Sequence, residues 1–155
     1  MGNTKLGNRV YWLIGLIGSL LGLSCGIIAW QLNAMGVGRT LLVPATLAGL
    51  MCALLCWVWL IAWRKHETLM RGIWAGSIAG LIAHPLTWYL AVIRANINFY
   101  FIPWCDCPEA PVGLLAGIPQ SILLSYLSLF PLGWMTLVLG AVAGAGLVYY
   151  YQHRS

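Results

Sequence analysis

Charge is the scarcest property of this chain. Only 7% of its 155 residues are charged and only three are acidic, Glu67, Asp106 and Glu109, against 61% hydrophobic residues. Soluble domains carry roughly 25% charged residues, and a chain this apolar cannot cover its core with polar surface. A soluble fold is excluded and an integral membrane protein is expected. The length allows one helical bundle, residues 1–155, and no second domain. No acid falls within an apolar run. Two-carboxylate catalysis inside the membrane is thereby excluded, and a proton-coupled exporter, which usually relies on an intramembrane carboxylate, is disfavoured. The eight basic residues give a net charge of +5. They sit in short clusters beside apolar runs, where they act as topology signals rather than as a nucleic-acid surface.

Other absences narrow the class further. There is no C-x-x-C pair, so the pattern used by thiol–quinone oxidoreductases is missing. There is no second histidine at depth to complete a bis-histidine haem. No internal duplication is visible: the glycine triplets on the first and third apolar runs lie 54 residues apart, but the segments that follow do not align, so an inverted-repeat transporter has no support. Lys5 and Arg9 ahead of an apolar run resemble a signal peptide, and Gly22–Cys25 resembles a lipoprotein cleavage site. The apolar run continues through Ile27, Ile28 and Trp30, and Gly22 stands where such motifs want leucine, so an uncleaved first helix is expected. Leu6 stands where a myristoylation motif wants serine or threonine.

What is present reads as helices. A span needs about 20 apolar residues, and four segments qualify, at about 10–32, 41–63, 72–93 and 131–151. An all-α, four-span polytopic bundle is expected, with an external loop and an interfacial or re-entrant half-helix over 94–130. Pro131 is expected to cut the long uncharged run that begins at Val112. With the N-terminus in the cytoplasm, Lys5, Arg9, Arg64, Lys65, Arg71 and Arg154 lie inside, and Arg39 and Arg94 outside. This bias is the positive-inside pattern, and it suits a bacterial inner membrane with both termini cytoplasmic. Trp57, Trp59 and Trp63, Tyr149 to Tyr151, and Phe99, Tyr100, Phe101 and Trp104 are expected as interface belts.

Small residues recur at spacing four: Gly18, Gly22 and Gly26 on the first helix, Gly72, Gly76 and Gly80 on the third, and Gly140 and Gly144 on the last. Such faces let backbones approach closely. The third and last helices can pair through theirs. The first can meet Ala45, Gly49 and Ala53 of the second, or a partner protein.

The candidates for chemistry are few. His84 is the one histidine well inside a span, followed by Pro85. It reads either as a neutral side chain hydrogen-bonded between helices or as a contact for a cofactor or quinone. Cys25, Cys52 and Cys56 read as small apolar residues. Arg94, Asn96 and Asn98 close the third helix and are candidates for an anionic ligand or lipid headgroups. Ser121, Ser125 and Ser128 share one helical face. Cys105, Asp106 and Cys107 lie in the outer loop as a disulfide, thiol or metal candidate. No cofactor is firmly implied. The leading functional expectation is an accessory or assembly subunit of a membrane complex, or a homo-oligomer associating through glycine faces in the bilayer. The alternatives are a redox or quinone-binding protein built on His84 or Cys105/Cys107, and a small channel or carrier for a neutral or anionic solute lined by Ser121, Ser125, Ser128 and Arg94.

Overall fold

A computed structural model describes residues 4–31, 38–62, 68–101 and 111–153. Five helices follow one another: α1 (Thr4–Gln31), α2 (Leu42–Trp57), α3 (Leu69–Phe101), α4 (Leu114–Ser128) and α5 (Trp134–Gln152). A short 3-10 turn, Gly38–Leu41, leads into α2, and π turns close α2 at Val58–Ala62 and join α4 to α5 at Leu129–Gly133. Among the described residues there is no strand. Four segments are long and apolar enough to cross a membrane: Tyr11–Gln31, Leu42–Ile61, Leu69–Phe101 and Trp134–Gln152. The fold is therefore all-α with four candidate spans. α4 has 15 residues, short of the roughly 20 that a straight crossing needs.

Two prolines and a missing proline explain the lengths. No glycine or proline occurs between Leu86 and Phe101, and α3 runs on to Phe101, past the expected end at 93. At about 1.5 Å per residue its 33 residues reach roughly 50 Å. Pro85 sits inside α3 and has no N–H to give, so the Leu81 carbonyl loses its intrahelical donor. Pro131, expected to cut the chain, lies within the π turn at Leu129–Gly133, and helix continues on both sides of it. A π turn already interrupts the regular hydrogen-bond ladder, so a residue without an N–H is accommodated there. Gly133 completes that turn, because a Cβ at this position would collide with the Leu129 side chain.

The helices associate as two close antiparallel pairs. In the first pair, Gly18 of α1 meets Gly49 of α2: a Cβ on Gly18 would stand 2.7 Å from the Gly49 carbonyl oxygen and 2.6 Å from the Ala53 methyl. One turn along, a Cβ on Gly22 would collide with the Ala45 carbonyl, and Gly26 packs on Leu42. In the second pair, a Cβ on Gly72 would lie 2.5 Å from the Gly144 carbonyl oxygen and one on Gly80 would lie 2.7 Å from that of Thr136. Between them Gly76 and Gly140 are reciprocal, each lacking space for a Cβ because the other's carbonyl is there. Four residues up one helix match four down the other. This contact brings Cα–H groups onto carbonyl oxygens, a weak attraction of about 0.5–1 kcal/mol each, and supplies dispersion where lipid offers little hydrophobic drive.

The two pairs meet through α2 and α3, and at one end all four long helices contribute to a core of Ile14, Trp57, Ile61, Ala75, Leu147 and Val148. Trp57, expected as an interface ring, is 6% exposed in this core. It extends the stripe Ala45, Gly49, Ala53 by one further step of four, the face that α2 turns to α1. Trp63 and Trp104 lie outside the described residues. Leu115, Phe130 and Trp12 are 85%, 92% and 81% exposed, the pattern of a bundle whose outer face meets hydrocarbon.

Candidate functional site

Between the two pairs lies an apolar cleft of about 220 Å³, walled by α1, α2, α3 and α5 and by the end of α4, and reaching from the core residues Ile14, Trp57, Ala75 and Leu147 to His84 and Ser128. Its lining is mostly glycine, alanine, leucine and isoleucine. His84, Thr87, Ser128 and Thr136 are the imidazole and hydroxyl side chains on the wall, with the indole of Trp88 beside them.

The position of His84 follows from the glycine register. Gly72, Gly76 and Gly80 form a stripe of spacing four, and His84 and Trp88 are its next two steps. On the facing strip, Gly144 and Gly140 are followed by Thr136 and, two steps further, Ser128. Antiparallel pairing thus carries the only histidine within a span to two hydroxyls that are far away in sequence. His84 Nε2 lies 3.0 Å from Thr136 Oγ1, and His84 Nδ1 lies 3.4 Å from Ser128 Oγ. Thr136 Oγ1 donates to the Gly133 carbonyl at 2.8 Å. Ser128 Oγ donates to the Ser125 carbonyl at 3.0 Å and accepts from Trp88 Nε1 at 3.2 Å. The cluster ties α3 to both sides of the π turn. Thr136 and Ser128 donate to carbonyls three residues back, and the hydroxyls of Ser24, Thr46 and Thr87 each donate to one four residues back in their own helix; Thr136 and Ser128 are set apart by also meeting His84. Self-satisfaction of that kind is the ordinary solution in hydrocarbon, where an unpaired polar group costs several kcal/mol.

The remaining candidates are dispersed. Arg94 Nη1 donates to the Thr40 carbonyl at 3.1 Å, bridging α3 to the start of α2. Asn96 Nδ2 donates to the Val92 carbonyl at 2.9 Å and to the Val112 carbonyl at 3.0 Å, so it holds the chain entering α4. Arg94 and Asn98 line a separate outer hollow of about 440 Å³ between α3 and α4, with Gln120 opposite. Ser121 and Ser125 are buried, 3% and 4% exposed, and Ser121 donates to its own helix at the Ile118 carbonyl. Of the residues expected along a solute path, Ser128 lines the inner cleft and Arg94 the outer hollow, and the structure does not bring them to one cavity. Cys52 and Cys56 are buried free thiols, and Cys25 lines the cleft. Among the described residues no three His, Cys, Asp or Glu side chains come together as a metal site. Cys105, Asp106 and Cys107 lie outside the described residues.

Sequence reasoning singled out His84 and Ser128 but not Trp88 and Thr136. The signal for both was the spacing-four stripe itself, extended past its last glycine. No family model, no curated protein and no solved structure matches the chain.

Proposed function

We propose that the chain is a small integral membrane protein that receives the polar end of a lipophilic molecule in the cleft beside His84. The observation that supports this reading is the His84–Thr136–Ser128–Trp88 cluster set on an otherwise apolar wall. An intramembrane ionisable side chain is expensive and marks function by default. A concave apolar site with a few convergent polar groups is the usual form of a small-molecule site. An apolar cavity of about 150 Å³ is enough for benzene, so 220 Å³ suits a ring or a short branched segment. The rest of such a molecule would stay in the surrounding lipid. Among the expected alternatives this is the quinone- or cofactor-binding one, resting on His84 rather than on Cys105/Cys107. The accessory-subunit reading drew its positive support from the glycine faces. Those of α1 and α3 are filled by α2 and α5 of the same chain, which removes that support. By the positive-inside count both termini are assigned to the cytoplasm of a bacterial inner membrane and the segment with Cys105 and Cys107 to the outside.

Purification from native membranes in mild detergent, followed by organic extraction and mass spectrometry, tests the reading. Wild type is expected to retain a lipophile at near one equivalent. Ala143→Phe, which fills the cleft from α5, is expected to lose it while keeping its helical content. Identical extracts from both proteins would overturn the proposal.

A further inference from the structure

The hydrogen atoms in the His84 cluster can be assigned by counting donors, because each hydroxyl has one to give. With the proton on Nε2, four short contacts are made together: Nε2–H to Thr136 Oγ1 at 3.0 Å, Thr136 to the Gly133 carbonyl at 2.8 Å, Trp88 to Ser128 at 3.2 Å, and Ser128 to the Ser125 carbonyl at 3.0 Å. Only the 3.4 Å approach of Ser128 to Nδ1 is left unused. With the proton on Nδ1, the 3.4 Å contact is kept and Thr136 must turn to Nε2, giving up its 2.8 Å bond. Hydrogen bonds between nitrogen and oxygen cluster near 2.9–3.0 Å and weaken beyond about 3.2 Å. The first arrangement keeps the short contacts and discards the longest one. His84 is then a neutral imidazole whose Nε2–H is committed to Thr136. Its Nδ1 lone pair has, as its nearest donor, a hydroxyl already engaged elsewhere.

A half-buried acceptor whose nearest donor stands 3.4 Å away can take a shorter bond from another donor. We infer that the head group taken by the cleft is a hydrogen-bond donor, a hydroxyl such as that of a quinol or an isoprenoid alcohol, received at His84 Nδ1. This inference rests on the reading of the cleft as a lipophile site and specifies its chemistry. The hydroxyl donates to Nδ1, Ser128 keeps its hydrogen on the Ser125 carbonyl, and the neighbouring Ser128 oxygen and indole of Trp88 bound the head group. A carbonyl or ether oxygen in the same place sets lone pair against lone pair unless the proton moves to Nδ1, which costs Thr136 its 2.8 Å bond to the Gly133 carbonyl. The site therefore favours a quinol over its quinone and an alcohol over its ether by about one hydrogen bond.

The test compares radiolabelled farnesol with farnesyl methyl ether, which has the same chain and no donor, binding to the full chain in lipid nanodiscs. Binding to Ala143→Phe is subtracted as background. Farnesol is expected to bind about tenfold tighter than the ether, the size of one well-made buried hydrogen bond. The Nδ1 resonance of ¹⁵N-labelled His84 is expected to begin as an unprotonated nitrogen and to shift on adding farnesol. Equal cleft-dependent affinity for the two probes would leave the cleft reading intact and overturn the donor assignment. If neither probe binds in a cleft-dependent way, the cleft reading falls and this inference falls with it. In Ser128→Ala, the farnesol preference is expected to persist or grow, since a neighbour of Nδ1 is gone. Loss of that preference, in a variant that still binds the ether, would make Ser128 the acceptor and overturn the assignment to His84.

Discussion

At the scale of single residues, the distinction that matters is which glycines are in contact and which are not. Gly76 has the Gly140 carbonyl where its own Cβ would go, and both are main-chain groups that cannot rotate aside. Gly146, two residues past Gly144 on the same helix, has nothing within 4 Å of the corresponding position. Gly76→Ala is expected to destabilise by about 1–3 kcal/mol or more through overpacking. Gly146→Ala is expected to fall within about 1 kcal/mol of wild type, on the favourable side from helix propensity. Thermal unfolding of both variants in one detergent checks the pair, and equal losses would contradict the assigned contacts. The same stripe accounts for His84. Where glycine lets the two backbones touch, no polar side chain is needed. One step beyond Gly80 the stripe changes to imidazole, and the facing step from Gly140 changes to the Thr136 hydroxyl.

Among elements, α3 is the hub, packed on α2 along one side and on α4 and α5 along another. The runs of apolar residues, the glycine spacing and the all-α class were legible in the sequence, because each is a local periodicity. The lengths of α3 and of the α4–α5 segment were less so. A span estimate stops where hydropathy falls at Arg94, yet the helix continues to Phe101. A proline also reads as a break unless a π turn is allowed for. The polar cluster was legible only in part. His84 stands out by type, but its partners are 44 and 52 residues away, and only the antiparallel register says which hydroxyls reach it. The place of α4 can be checked by cross-linking. A Cβ on Gly117 would lie 3.4 Å from the Val92 Cβ, close to the spacing a disulfide requires, about 3.5–4.5 Å. In a background with the native cysteines replaced, Val92→Cys with Gly117→Cys is expected to form an intrachain disulfide under mild oxidation. Recovery of free thiols alone would contradict the packing of α4 on α3.

For the whole molecule, the arrangement is two closely packed helix pairs, joined at one end by the core around Trp57, with the cleft running between them from that core to His84. The close contacts are spent within the chain, and the exposed surface is broadly apolar, with Leu115, Phe130 and Trp12 among its most open residues. Such a surface is matched to lipid. The most direct measurement of this account is photolabelling in nanodiscs with a farnesol analogue carrying a diazirine near its hydroxyl, followed by peptide mapping. Label is expected to concentrate on cleft residues around the cluster, Ser128, Met135 and Leu139, and to be displaced by unlabelled farnesol. Label spread evenly over outer positions such as Trp12 and Phe130, with no displacement, would contradict it.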